Sequence, residues 1–209
     1  MGIVCPTVTA YSTEEYDEQI GVVAKLTDYV HIDLGDGVFT KKMVDVREVW
    51  WPKNVTPNVH LMYERPSEVL GELIALKPRM VILHAEAKDD ISQSIQALKS
   101  QGIRAGIALL QGTSVKSVKR FIEQVDHVLI FSGSLGSFGG IVDYSLLKKV
   151  TEIRSLRPSI EIGWDGGINA DNIRKLHDGG VDILNVGGAI QKANHPENVY
   201  RDLERRLHD

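Results

Sequence analysis

Along this chain, short runs of apolar and β-branched residues alternate with longer segments whose apolar positions recur every three or four residues. The short runs cover residues 3–8, 29–34, 58–62, 80–85, 104–109, 127–132, 160–165 and 183–188. Their length and composition predict strands. Between them, Ile91, Ile95 and Leu98 fall on one helical face, as do Val115, Val118, Ile122 and Val125. Val199, Leu203 and Leu207 form a stripe at i, i+4, i+8. Helix-start signals agree with this reading. Ser12 with Glu15 makes a capping box, Pro66 opens the third helix, and Ser114 and Asn169 suit N-caps. The stretch 40–57 carries the weakest pattern; residues 44–51 predict a short helix there.

Strand then helix, eight times over, is the pattern of a (β/α)8 TIM barrel, expected here as a single domain over residues 1–209. An open doubly wound sheet is the alternative. Evenly spaced units with no linker or low-complexity break favour closure.

Composition narrows the function classes. The 209 residues are 43% hydrophobic and 25% charged, as in ordinary globular proteins. The net charge is −4, and lysine and arginine are scattered, so there is no basic stripe of the kind nucleic acid requires. The one cysteine, Cys5, lies in an apolar run, which fits a small core residue and excludes an internal disulfide. No apolar run reaches the length of a membrane span, and the first residues lack a secretory signal pattern, so a cytoplasmic setting is expected.

In such barrels the functional site lies at the C-terminal ends of the strands. On the second strand, His31 and Asp33 are two apart and share a side; on the third, His60 and Met62 do the same. The seventh ends in Asp165, Gly166 and Gly167, and the eighth in Gly187 and Gly188. His31, Asp33, His60 and Asp165 together suit one divalent ion, Zn, Mn, Fe or Co, with room left for substrate oxygens. The paired glycines after adjacent strands offer backbone N–H groups to a phosphate. The segment "SGSLGSFGG" at 132–140 reads as a lid. His84 and Glu86 share a side of the fourth strand, as supports of the site or as satisfied interior groups. Asp36 would orient the following loop or bond a ligand histidine. His127, His177, His195 and His208 have no partner at ligand spacing and are expected on the surface or on helices.

From "CPTVTA" to "VGGAIQ", the chain resembles the ribulose-phosphate 3-epimerase family. Pro6-Thr7 keeps the hydroxyl of that family's Pro-Ser. "HIDLGDG" stands where it has His-x-Asp-x-Met-Asp-Gly, and "HLM", "HAEA" and "WDGGIN" match its later motifs. The resemblance implies an isomerase of carbohydrate metabolism acting on a pentose phosphate. One aspartate takes the C3 proton of a metal-chelated ketose phosphate, and a second reprotonates the cis-enediolate from the opposite face. By motif, Asp33 and Asp165 would be both acid–base pair and metal ligands, with His31 and His60 ligands only. Thr7, His60, Met62, Gly139, Gly140, Gly166, Gly167, Gly187 and Gly188 would contact substrate. The family likeness also implies a homo-oligomer.

The chain departs from the family at the pocket walls. Gly35 and Phe131 replace two methionines, Gly163 replaces a glutamate, and the lid lacks proline and glutamine. Gly35 is expected to open space near the metal, which brings a hexulose 6-phosphate in as a second substrate. Trp164 should face the helices by alternation. Two other classes compete: a phosphosugar lyase, which would need an Asp-x-Lys-x-x-Asp array where Leu34 and Gly35 stand, and a non-catalytic sugar-phosphate-binding barrel.

Overall fold

A computed structural model describes residues 2–133, 135–136 and 140–209. Eight parallel strands close into a barrel in sequence order: β1 (Ile3–Thr9), β2 (Tyr29–Gly35), β3 (Thr56–Met62), β4 (Met80–His84), β5 (Arg104–Leu109), β6 (His127–Phe131), β7 (Glu161–Asp165) and β8 (Ile183–Val186). The helices outside are α1 (Thr13–Val23), α2 (Leu70–Ala75), α3 (Ile91–Ser100), α4 (Lys119–Ile122), α5 (Leu147–Leu156), α6 (Ile173–Asp178), α7 (Gly188–Gln191) and α8 (Pro196–His208). All eight strands expected from the apolar runs are present.

Period-2 alternation sorts the side chains into two cores. Outward-facing Ile32, Leu34, Val59, Leu61, Leu83 and Trp164 pack with helix residues such as Ile20, Leu98 and Leu203. Trp164 is fully buried there, as its alternation requires. Inside the barrel, Met80, Ile82, Ala108 and Leu129 form a smaller apolar layer. Cys5 is also fully buried, and burial raises its thiol pKa well above the ordinary value.

Below that layer, the N-terminal strand ends carry a polar plug. Arg79 donates to Tyr29 Oη at 2.7 Å and to Asn58 Oδ1 at 2.8 Å. Glu161 meets Arg104 at 3.1 Å and His127 Nδ1 at 3.0 Å. Burial opposes ionisation of Glu161, but His127 and Arg104 outweigh it and hold the carboxyl down at about 2. This end of a barrel serves stability rather than chemistry.

His127 therefore corrects the expectation of a surface residue. It is the first residue of β6, points inward and is 1% exposed. Its ring fills the room left by Gly163, where a Cβ would come within 2.6 Å of Nε2.

A second correction concerns the β2–β3 connection. Residues 44–51 form no helix; they run through a turn at 46–48. Asp45 Oδ1 accepts from Arg47 N at 3.0 Å, closing the turn locally. Val44, Val46 and Val49 are all buried, a spacing that no single helical face provides. Pro52 also biases Trp51 away from helical backbone.

The start signals hold in part. Ser12 accepts from Glu15 N and caps α1. Pro66 opens a 3-10 turn before α2. The N-cap position of the 3-10 turn ahead of α4 belongs to Val115, while Ser114 Oγ accepts from Ser117 N at 3.2 Å. The N-cap position of α6 belongs to Asn172; Asn169 instead ties the turn before it by accepting from Asp171 N.

Candidate active site

At the C-terminal mouth lies a cavity of about 300 Å³. Thr7, Asp33, Met62, Gly140, Asp165, Gly166, Gly167, Gly187 and Gly188 all line it, whereas His60 is not among the lining residues. Gly139 lies outside the described residues, as do three other members of the proposed lid. From that segment Gly133, Gly136 and Gly140 border the cavity, and Tyr11 Oη donates to Gly136 O at 2.8 Å. Gly166 and Gly167 have positive φ, and a Cβ on Gly166 would stand 2.3 Å from Gly133 N. Glycine there lets the loops after β6 and β7 touch.

His31, Asp33, His60 and Asp165 converge. One ligand atom from each lies within 4.8 Å of all the others, and these four side chains could hold a metal ion. His31 Nε2 stands 3.2 Å from Asp33 Oδ1 and 3.7 Å from Asp165 Oδ2. The His31 ring is buried, yet among the described residues neither ring nitrogen makes a hydrogen bond.

The chain of contacts behind His60 sharpens the case for a cation. His60 Nδ1 faces Asp33 Oδ1 at 3.0 Å, and His60 Nε2 lies 2.8 Å from His84 Nε2. His84 Nδ1 lies 3.1 Å from Glu86 Oε2. Glu86 Oε1 accepts from Leu110 N at 3.0 Å and from Thr113 Oγ1. The Glu86 carboxylate requires the proton on His84 Nδ1. Burial, the first cause, lowers the His60 pKa to about 4. In the tautomer with the His84 proton on Nδ1 and the His60 proton on Nε2, the His60 Nδ1 lone pair faces the Asp33 oxygen 3.0 Å away, an arrangement that suits a cation held by both.

The two carboxylates are driven apart. Burial raises the pKa of Asp165, and the charge of Asp33 raises it further. Burial also opposes ionisation of Asp33, but the adjacent imidazoles of His31 and His60 outweigh it and lower the pKa. Thr9 Oγ1 donates to Asp33 Oδ2 at 2.7 Å and fixes the carboxylate plane. Such a split within one pair suits acid–base work.

Asp36 orients the loop rather than a histidine: Oδ1 accepts from Val38 N and Phe39 N, and Oδ2 from Glu64 N. Gly35 does not open the pocket, contrary to expectation. A Cβ there would lie 2.7 Å from Lys41 O and 2.9 Å from Met43 Cγ, because the β2–β3 connection folds into that space. Phe131 does join the wall, its ring 5.8 Å from that of His60.

Among the lining residues that escaped the sequence reading are Thr9, Asn185 and Lys192. Thr9 and Asn185 each sit two positions from a residue already singled out, so the same alternation could have found them. Lys192 follows α7 and carried no such signal.

A closed parallel barrel with acids and imidazoles gathered at its C-terminal mouth defines an enzyme of the TIM-barrel class. The family model described as "Ribulose-phosphate 3 epimerase family" matches residues 3–191, and the chain belongs to that family. Its members are isomerases that epimerise a phosphosugar. The ribulose-phosphate 3-epimerase of Helicobacter pylori (strain ATCC 700392 / 26695) is 36% identical over 187 residues, covering 85% of each chain. That of Mycobacterium leprae (strain TN) is 27% identical, covering 98% of this chain and 94% of its own. A solved structure of KGPDC from Streptococcus mutans shares the fold. It has a TM-score of 0.74 at 11% identity, covering 100% of this chain and 98% of that one.

Proposed function

We propose that the chain is a metal-dependent 3-epimerase of a ketose phosphate, interconverting D-ribulose 5-phosphate and D-xylulose 5-phosphate. The observation that carries this is the convergence of His31, Asp33, His60 and Asp165, one ligand atom of each lying within 4.8 Å of all the others. His31, Asp33, His60 and Asp165 would hold a Zn, Mn, Fe or Co ion. When bound, the ion supplies Lewis-acid stabilisation of the negative charge that develops when the C3 proton leaves.

The side chains do the rest. A carboxylate oxygen of Asp33 or Asp165 takes the proton from C3 on one face. The other carboxyl delivers a proton to C3 from the opposite face, and the configuration inverts. The two acids reach the substrate from separate strands, β2 and β7, as a two-sided transfer requires. Positioned acids and bases contribute about 10²–10⁴ in rate, so charge stabilisation must supply much of the remainder. Met62 and Phe131 form an apolar wall that excludes water. Thr7 Oγ1 is buried without a partner among the described residues and faces substrate. Gly166, Gly167, Gly187 and Gly188 follow the adjacent strands β7 and β8, line the cavity and would receive the phosphate.

The filled space beside Gly35 favours a pentulose 5-phosphate over the larger hexulose 6-phosphate. The expected outcome of assaying protein loaded with each metal is turnover of ribulose 5-phosphate above any hexulose 6-phosphate. No turnover of either sugar with any of the four metals would overturn the reading.

A further inference from the structure

Asn185 lies on β8, is 2% exposed and lines the cavity. Its strand neighbours Leu184 and Val186 belong to the outer core, so alternation turns Asn185 inward. It stands in register with Asp165 on β7 and Cys5 on β1. Among the described residues, neither Oδ1 nor Nδ2 finds a hydrogen-bond partner. Buried amides are almost always paired, and one offering both a donor and an acceptor to a cavity matches a hydroxyl, which is also both.

We propose that Asn185 is a specificity-determining residue that binds the substrate hydroxyl lying between the metal cluster and the glycine end of the cavity. This assignment rests on the epimerase reading above. In a pentulose 5-phosphate, C2 and C3 belong at the acid–imidazole cluster and C5 carries the phosphate. The hydroxyl left between them is that of C4. Asn185 Nδ2 would donate to its oxygen, and its proton would go to Oδ1. A substrate lacking that hydroxyl leaves a buried amide unpaired, the arrangement by which polar sites reject deoxy analogues.

The test is binding rather than turnover. Ribitol 5-phosphate and 4-deoxyribitol 5-phosphate, which have no carbonyl and cannot react, are titrated calorimetrically into zinc-loaded wild type and Asn185→Leu. Wild type is expected to prefer the hydroxylated probe by about 10-fold or more, and Asn185→Leu to lose that preference while keeping its affinity for the deoxy probe. The melting temperature of Asn185→Leu should be at or above that of wild type, since the removed amide has no protein partner. Overturning results are equal preference in the two proteins, no preference in wild type, or a variant that melts lower because the amide served the fold. A buried water satisfying the amide would give the first of these. Deuterium exchange at C3 of ribulose 5-phosphate, measured on the same wild-type sample, separates the two claims. Exchange with unaltered preference sinks the Asn185 assignment alone; lost preference without exchange sinks the epimerase reading alone.

Discussion

Asp165 is the residue in which fold and chemistry conflict most. Buried beside Asp33, its carboxyl resists ionisation, so its folded pKa lies above its unfolded one. Between those two values the folded chain holds the extra proton. Stability without a cation therefore falls as pH rises through that window. Cation-free Asp165→Asn escapes this cost. It should melt above cation-free wild type at pH 8, by about 2–4 °C for each kcal/mol relieved, and the gap should close towards pH 4. Calorimetric melts of chelator-treated protein at the two pH values check this. The same variant should lose at least about 10²–10⁴ in epimerisation rate, measured on the metal-loaded protein. At this scale the sequence was readable wherever two informative residues shared one strand face. His31 with Asp33, and His60 with Met62, announced themselves by a spacing of two. His127 did not, because its partner Glu161 lies 34 positions away on another strand. Asn185 shares that spacing with Gly187, but an amide carries no motif and shows its meaning only when seen to lack partners among the described residues.

Among the elements, β4 supplies a support that only the assembled barrel makes evident. His84 reaches across to His60 Nε2 on β3, and Glu86 holds the other nitrogen of His84. Glu86→Gln, whose amide N–H can no longer draw the proton onto His84 Nδ1, is expected to weaken zinc affinity by about 10–100-fold. Competition with a chelating dye measures that directly; unchanged affinity would show that the chain of rings does not set the tautomer. On β7, Gly163 is as small as it is because His127 occupies the space beside it. Gly163→Ala should destabilise by about 1–3 kcal/mol in urea unfolding, since the buried ring is tied to Glu161 and has little freedom to move. The β2–β3 connection was the least legible element. Local propensity over 44–51 suggested a helix, but tertiary burial of Val44, Val46 and Val49 selected a looped path. That path is also why Gly35 gives no added room, a consequence invisible until the residues 40–43 are seen lying over it.

The whole molecule is a closed barrel, and closure explains why the sequence reading worked as well as it did. Strands buried on both faces must be apolar runs, so eight of them stand out. Closure also fixes where chemistry can gather, because only the C-terminal mouth collects residues from every strand. Long-range consequences, such as the polar plug of Arg79, Arg104, His127 and Glu161 at the opposite end, depend on which strands meet across the barrel and left no local pattern. No helix among the described residues is long and apolar enough to cross a membrane. The central claim is that four side chains from β2, β3 and β7 hold one cation beside two proton-transferring carboxylates. Incubating the metal-loaded chain with ribulose 5-phosphate in deuterated water tests it most directly. The account predicts deuterium at C3 in both the recovered ribulose 5-phosphate and the xylulose 5-phosphate formed, with neither label nor product when the metal is stripped. Metal-loaded protein that returns ribulose 5-phosphate unlabelled and unepimerised would contradict it.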